Sequence, residues 1–214
     1  MTLVQPSNSK KTALVLQGGG ARGAYQVGVI KAVSEITPSR RSPFQIVCGA
    51  SVGAINAASI AVASNDFQTG ARRMEALWRS LSSSSIYDTR ALPLLANSLR
   101  CAMTPMFRFL LEREFNKDHL LHAIRSGALH AFCITASSYS EGKSVTYFEG
   151  RQDIRGWSRA RRRGERASIG PGHMLASAAL PFAFAPVRLK NGYFGDGSLR
   201  LNSPLAPVWM AGDK

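Results

Sequence analysis

Cysteine is scarce in this sequence. Cys48, Cys101 and Cys133 are the three present, their number is odd, and no Cys-x-x-Cys occurs. That pattern argues against both a disulfide framework and a zinc site. Cys48 and Cys133 lie in apolar runs that read as buried strands, where a thiol packs as a small apolar group. Acidic residues are also few: 13 Asp and Glu face 27 Lys and Arg, for a formal net charge of +14. Such a surface attracts anions, and charge alone does not choose between lipid headgroups and nucleic acid. The first eleven residues, through Lys11, hold no apolar signal-peptide core, so a cytoplasmic or peripheral-membrane location is expected. The uncharged run Ser42 to Asn65 is long enough to cross a bilayer. It is rich in Ala, Gly, Ser and Asn, however, and has a turn motif at its centre, so a buried strand followed by a buried helix is the better reading. With 214 residues the chain suits one domain, expected over residues 12–214 after a flexible tail at 1–11.

Thr12 to Gln17 reads as a strand that the glycine cluster Gly18-Gly19-Gly20 breaks. Helical spacing follows from Ala24 to Ile36, with Val27, Ile30, Val33 and Ile36 on one side. Phe44 to Cys48 is a second strand, and Val52 to Ala63 and Phe67 to Leu81 are helices. Ser82 to Ser85 reads as a loop, Met106 to Glu114 as helical, and Asn116 as the cap of a helix through Arg125. Ala128 to Ser137 and Lys143 to Phe148 read as a strand pair. His173 to Ala179 is a short helix closed by Pro181. Val187 to Lys190 and Tyr193-Phe194 form a hairpin around Asn191-Gly192. No internal repeat is visible. Strands alternating with helices argue for an α/β fold with a largely parallel sheet.

Two glycine motifs carry the chemistry. Gly49-Ala50-Ser51-Val52-Gly53 is a G-x-S-x-G placed where a strand gives way to a helix. A serine on so tight a turn takes a strained backbone, and β-carbons two residues away on either side would collide with it. In return the hydroxyl stands at a helix N-terminus, where negative charge is favoured. A small-residue packing turn is the plainer alternative. Gly18-Gly19-Gly20-Ala21-Arg22-Gly23 also follows a strand and opens a helix. One reading is a dinucleotide fingerprint, which wants an acid about 20 positions on, at the end of the second strand. That strand ends in Val47-Cys48-Gly49, without one. The favoured reading is an oxyanion hole, whose glycine N–H groups face the oxygen that turns negative when an ester carbonyl is attacked. Arg22 either steadies this loop or is a surface residue of the first helical turn.

A serine needs a group to take its proton. The order serine, acid, histidine fails here, because no histidine follows the best late carboxylate, Asp196. His119 and His122 lie on a charged helix and His130 in a strand, while His173 suits a helix cap better than direct participation. Ser51 with Asp196 is left. An aspartate at its ordinary pKa is a poor base at neutral pH, so the pairing requires burial or close hydrogen bonding. An Asp-Gly turn residue is the plainer alternative for Asp196. Finally, Arg151, Arg155, Arg159, Arg161, Arg162, Arg163 and Arg166 crowd one segment with Trp157 among them. That segment reads as a solvated loop or as a contact with anionic membrane, with Trp157 at the interface. No nucleic-acid motif accompanies the charge.

Taken together, Gly18 to Gly23, Gly49 to Gly53 and Asp196-Gly197 resemble the motifs of the patatin-like phospholipases. Ser198 stands where that family has Gly or Ala. Ala176 to Pro181 and Leu199 to Pro204 resemble further family segments. The resemblance implies an α/β three-layer sandwich with a mostly parallel central sheet. It implies a Ser51–Asp196 dyad without histidine, an oxyanion loop at Gly18, Gly19, Gly20, Ala21, Arg22 and Gly23, and an elbow framed by Gly49 and Gly53. The expected substrate is a phospholipid or other acyl ester, cleaved in phospholipase A, lysophospholipase or esterase fashion with no cofactor and no metal. Since the family continues past this point with further strand and helix, a C-terminally short chain is expected. Two competing classes are a non-catalytic membrane- or anion-binding remnant of the same fold and a nucleotide-binding oxidoreductase. The latter is opposed by the missing acid and by the Ser51 elbow.

Overall fold

In the central strands apolar residues fall on both faces, and all five residues of Ile46–Ala50 and all eight of Ala131–Ser138 are buried. A strand buried on both sides must be covered by two layers. The computed structural model describes residues 11–81, 111–190 and 192–211. The expectations for residues 1–10, Cys101, the Ser82–Ser85 loop and Asn191 lie outside these, as does the Met106–Glu114 helix up to residue 110.

The chain order is β1 (Ala13–Leu16), a 3-10 turn (Gly20–Arg22), α1 (Gly23–Ile36), β2 (Ile46–Ala50), α2 (Val52–Val62) and α3 (Phe67–Ser80). Then come α4 (Lys117–Arg125), β3 (Ala131–Ser138), β4 (Ser144–Gly150), β5 (Trp157–Arg159) and β6 (Arg162–Arg166). The last elements are α5 (Pro171–Ala178), β7 (Val187–Leu189), β8 (Gly192–Gly195), α6 (Ser198–Leu201) and α7 (Ala206–Ala211). Capping sets two of the helix starts: the Asp66 side chain accepts from the Thr69 N–H, and that of Asn116 from the His119 N–H.

One sheet runs in the order β1-β2-β3-β4-β6-β5, with the β7–β8 hairpin attached to β3. The parallel part is β1, β2 and β3, plus the pair β4–β6. β4 returns antiparallel because only a short turn separates it from β3. β2 and β8 share one flank of β3, end to end and from opposite directions. Ala50 closes the β2 ladder opposite Thr135, and Gly195 closes the β8 ladder opposite Ser137.

The larger core lies between the sheet and the helices. It collects Val47, Phe132 and Ile134 from the strands with Ile30, Ile60, Phe67, Met74 and Leu120 from the helices. A smaller cluster covers the other face, with Ile46, Cys48, Ala131, Cys133, Phe148 and Ile154, and Val208 of α7 against it. Cys48 and Cys133 are register partners on β2 and β3 and carry free, buried thiols. The hydrogen bond with Cys133, reinforced by burial, pushes the Cys48 thiol well above the ordinary range, which suits a packing group. Ile36, expected on the apolar side of α1, is exposed instead, and Ser34 is buried in the last turn. Among the described residues no helix is long and apolar enough to cross a membrane, and Ser42 to Asn65 divides into β2 and α2.

The arginine-rich segment is an ordered β5–β6 hairpin. Arg163 pairs with Glu141 and Glu165, and Arg166 donates to the carbonyls of Gly150, Arg151 and Ile154. Arg155, Arg159, Arg161 and Arg162 remain exposed.

Asn56 fastens three helices. Its Nδ2 donates to the Gly23 carbonyl at 3.1 Å and to Gln26 Oε1 at 2.9 Å, and its Oδ1 accepts from Trp78 Nε1 at 2.8 Å. Asn56 is buried, so Asn56→Leu strands the Trp78 N–H and the Gly23 carbonyl. We expect a loss of about 2–6 kcal/mol, from one to three for each orphaned partner, measured by urea unfolding.

Candidate active site

Ser51 sits between β2 and α2 with φ +56° and ψ −132°, and it is buried. Only it and Phe182, at φ +68°, have positive φ among the described residues other than glycine. Each such conformation costs on the order of 1–3 kcal/mol and persists where the surroundings over-determine it. The surroundings here are backbone. A β-carbon on Gly49 would strike the Gly53 carbonyl, and one on Gly53 would strike the carbonyls of Leu16 and Gln17. Strand β1 and helix α2 thus touch with no side chain between them, which is why the elbow needs glycine on both sides.

Asp196 follows β8 and is 1% exposed. Its Oδ2 accepts from Ser51 Oγ at 2.6 Å across 145 positions of sequence. Its Oδ1 accepts from the backbone N–H of Ser198 at 2.8 Å and from Ser198 Oγ at 2.5 Å. Its own backbone is held twice, the N–H donating to Ala179 O at 2.8 Å and the carbonyl accepting from Ser137 Oγ at 2.8 Å. A serine hydroxyl this close to a buried carboxylate has a proton acceptor in place for nucleophilic attack.

The glycine loop closes over the same point. A β-carbon on Gly18 would lie 3.0 Å from Ser51 Cβ and 2.7 Å from Ser198 Cβ. Beyond it the 3-10 turn is closed by Arg22 N–H to Gly19 O and by Gly23 N–H to Gly20 O. The N–H groups of Gly19 and Gly20 are not used in these bonds. Gly20, at φ +55°, has open space where a β-carbon would be. Ala21 continues the turn and Gly23 begins α1 against Trp78 and Val52. Arg22 is exposed with its side chain along Gly19. Gln26 Nε2 donates to Gln17 O at 2.8 Å and so links the loop to the Asn56 network.

Ser177 was not singled out by sequence reasoning, although it stands in a quoted segment. Its Oγ accepts the Ser51 N–H at 2.9 Å and donates to Thr135 O at 2.6 Å, and its carbonyl accepts the Gly197 N–H at 2.9 Å. One buried hydroxyl therefore braces nucleophile, strand β3 and the Asp196 turn. The signal was available: a lone hydroxyl in the small-residue run Ala176 to Ala179.

His173 is not brought to this centre by its own hydrogen bond. It caps α5, with Nδ1 accepting from the Gly170 N–H at 3.2 Å, and packs edge-on to Tyr147 at 4.8 Å between ring centroids. His119 and His122 lie on α4, and His130 precedes β3. The Tyr139 phenol, whose ring lies against Gly195, is held above its ordinary range first by burial and then by the Asp196 charge.

A model of the patatin-like phospholipases matches residues 14–209 of this chain. No curated protein matches it. Among solved structures, VipD from Legionella pneumophila is similar in fold, with a TM-score of 0.59 at 16% identity. The alignment covers 92% of this chain and 47% of VipD, so this chain spans about half the length of that protein.

Burial holds His173 below the ordinary histidine range. A depressed histidine favours folding above its unfolded pKa of about 6.5, and that stability is lost as pH falls through the lower folded value. Thermal unfolding between pH 7 and pH 5 should therefore show a Tm that drops on acidification, and drops less in His173→Gln.

Proposed function

This chain belongs to the patatin-like phospholipase family, and from that premise we propose that it is a lipid acyl hydrolase working through Ser51 and Asp196. The observation that carries the reading is the 2.6 Å hydrogen bond from Ser51 Oγ to Asp196 Oδ2, made between two buried residues.

Ser51 Oγ attacks the ester carbonyl carbon as its proton passes to Asp196 Oδ2. The carbonyl oxygen becomes an oxyanion, which the N–H groups of the Gly18–Gly23 loop stabilise. One such donor is worth about 3–4 kcal/mol of barrier. When the tetrahedral intermediate collapses, the bond to the alcohol oxygen breaks and Asp196 returns the proton to it. Water then attacks the acyl-serine carbonyl as its proton passes to Asp196; the bond to Ser51 Oγ breaks, Asp196 returns the proton to that oxygen, and the fatty acid leaves with Ser51 regenerated.

Three features support the pairing. Strain at Ser51 presents the hydroxyl at the first turn of α2, where developing negative charge is favoured. The two donors from Ser198 occupy Asp196 Oδ1 and leave Oδ2 for Ser51. Neither partner needs to move to meet the other. The substrate class is a phospholipid or another acyl ester.

The arginine hairpin supports a contact with anionic membrane. The register row Gly195–Ser137–Ser144–Arg162 runs straight across β8, β3, β4 and β6. Arg162 therefore lies at the Asp196 level of the sheet, three strand spacings of about 4.8 Å away. Exposed Arg155, Arg159, Arg161 and Arg162 have guanidinium forks suited to headgroup phosphates.

The test is hydrolysis of a p-nitrophenyl ester by wild type, Ser51→Ala and Asp196→Asn. Each substitution should lower kcat by about a thousandfold or more, and the double substitution should cost little beyond either alone. Equal turnover by all of them would sink the dyad.

A further inference from the structure

Phe182 presents two unfavourable features at one residue. Its φ of +68° is a region where bulky residues are outliers. It is 94% exposed, the highest value for a large apolar residue among the described residues. Neither feature serves the core, and glycine at this position would relieve both.

The turn that carries Phe182 is tied to the candidate site at both ends. Phe184 N–H donates to Leu180 O at 2.9 Å and closes the turn, with Phe182 at its tip. Immediately before it, Ala179 O accepts the Asp196 N–H. After it, Val187 pairs with Phe194, two residues before Asp196. Other exposed apolar side chains cluster in the same neighbourhood. Leu180 is part of the turn, Leu199 donates its N–H to Asp196 O, and Tyr139 lies over Gly195 with its N–H on Tyr193 O. An apolar rim thus flanks Asp196 while the exposed arginines of the β5–β6 turn lie at the same level of the sheet.

We propose that the Leu180–Phe184 turn is a membrane-docking element, and that Phe182 inserts into the headgroup–acyl boundary of an anionic phospholipid bilayer. The pairing of an exposed aromatic tip with a neighbouring cationic edge is what such a surface fits. The apolar tip enters the boundary and the guanidinium groups meet phosphates. A strained exposed aromatic gains nothing in water and gains its burial only when the lipid arrives. The inference rests on the hydrolase reading only in its choice of lipid as partner.

The experiment measures binding without turnover, using Ser51→Ala chains with Phe182, Phe182→Gly or Phe182→Leu. Each is sedimented with vesicles of phosphatidylcholine containing phosphatidylglycerol, at low and at high salt. Moving one phenylalanine side chain out of water changes partition about tenfold or more. Phe182→Gly should therefore bind about tenfold more weakly at both salt concentrations, and Phe182→Leu should recover most of the binding. In the chain with Ser51 intact, Phe182→Gly should leave turnover of a soluble monomeric ester unchanged. Equal partition of all three chains, or binding that follows only the anionic fraction, overturns the proposal. A parallel fall in soluble-ester turnover also overturns it, by assigning Phe182 to the cleft. If no chain hydrolyses any ester while the tenfold difference persists, docking stands and the hydrolase reading fails.

Discussion

The architecture turns on the flank of β3. β2 climbs that flank and ends opposite Thr135, while β8 descends it and ends opposite Ser137. The residue after each strand is Ser51 in one case and Asp196 in the other, so both fall beside Ala136. Backbone ladders, whose spacing is fixed by hydrogen-bond geometry, set the distance between hydroxyl and carboxylate. That is why the pair needs no long, adjustable side chain, and why a serine and an aspartate, both short, suffice.

Rigid ladders alone do not orient a hydroxyl. The local order comes from a second set of buried polar contacts, made mostly by small side chains to backbone. Ser177 joins the Ser51 N–H to Thr135 O, Ser137 holds the Asp196 carbonyl, and Ser198 occupies one carboxylate oxygen. Asn56 performs the same service for the glycine loop through Gly23 and Gln26. In a low-dielectric interior each satisfied bond is firm and each broken one is expensive. The surroundings therefore over-determine the strained Ser51 backbone, and the strain at this position is sustained.

Much of this was legible in the sequence. The strand-to-helix context of Gly49 to Gly53, the glycine cluster after β1 and the Asn116 cap are local patterns, and local patterns survive into the fold. The second strand reads two residues early because apolar Phe44 stands just before it, whereas pairing with β1 begins at Ile46. The arginine segment reads as a loop by charge alone. It is a hairpin because β4 offers an edge on which Arg162 to Arg166 pair in parallel. Ser177 and Asn56 gave little signal, since their importance lies in partners distant in sequence: 126 positions for the Ser51 N–H and 33 for the Gly23 carbonyl. Such contacts have no periodicity to detect.

The 145 positions between Ser51 and Asp196 also set a timing. During synthesis the elbow leaves the ribosome well before β8 exists, so the serine spends that interval without its carboxylate. Pairing across so long a separation closes late, after the shorter-range contacts of β1, α1 and β2. A nascent chain thus carries the elbow serine before its hydrogen-bond partner exists, and the Ser51–Asp196 contact forms only once β8 has been made.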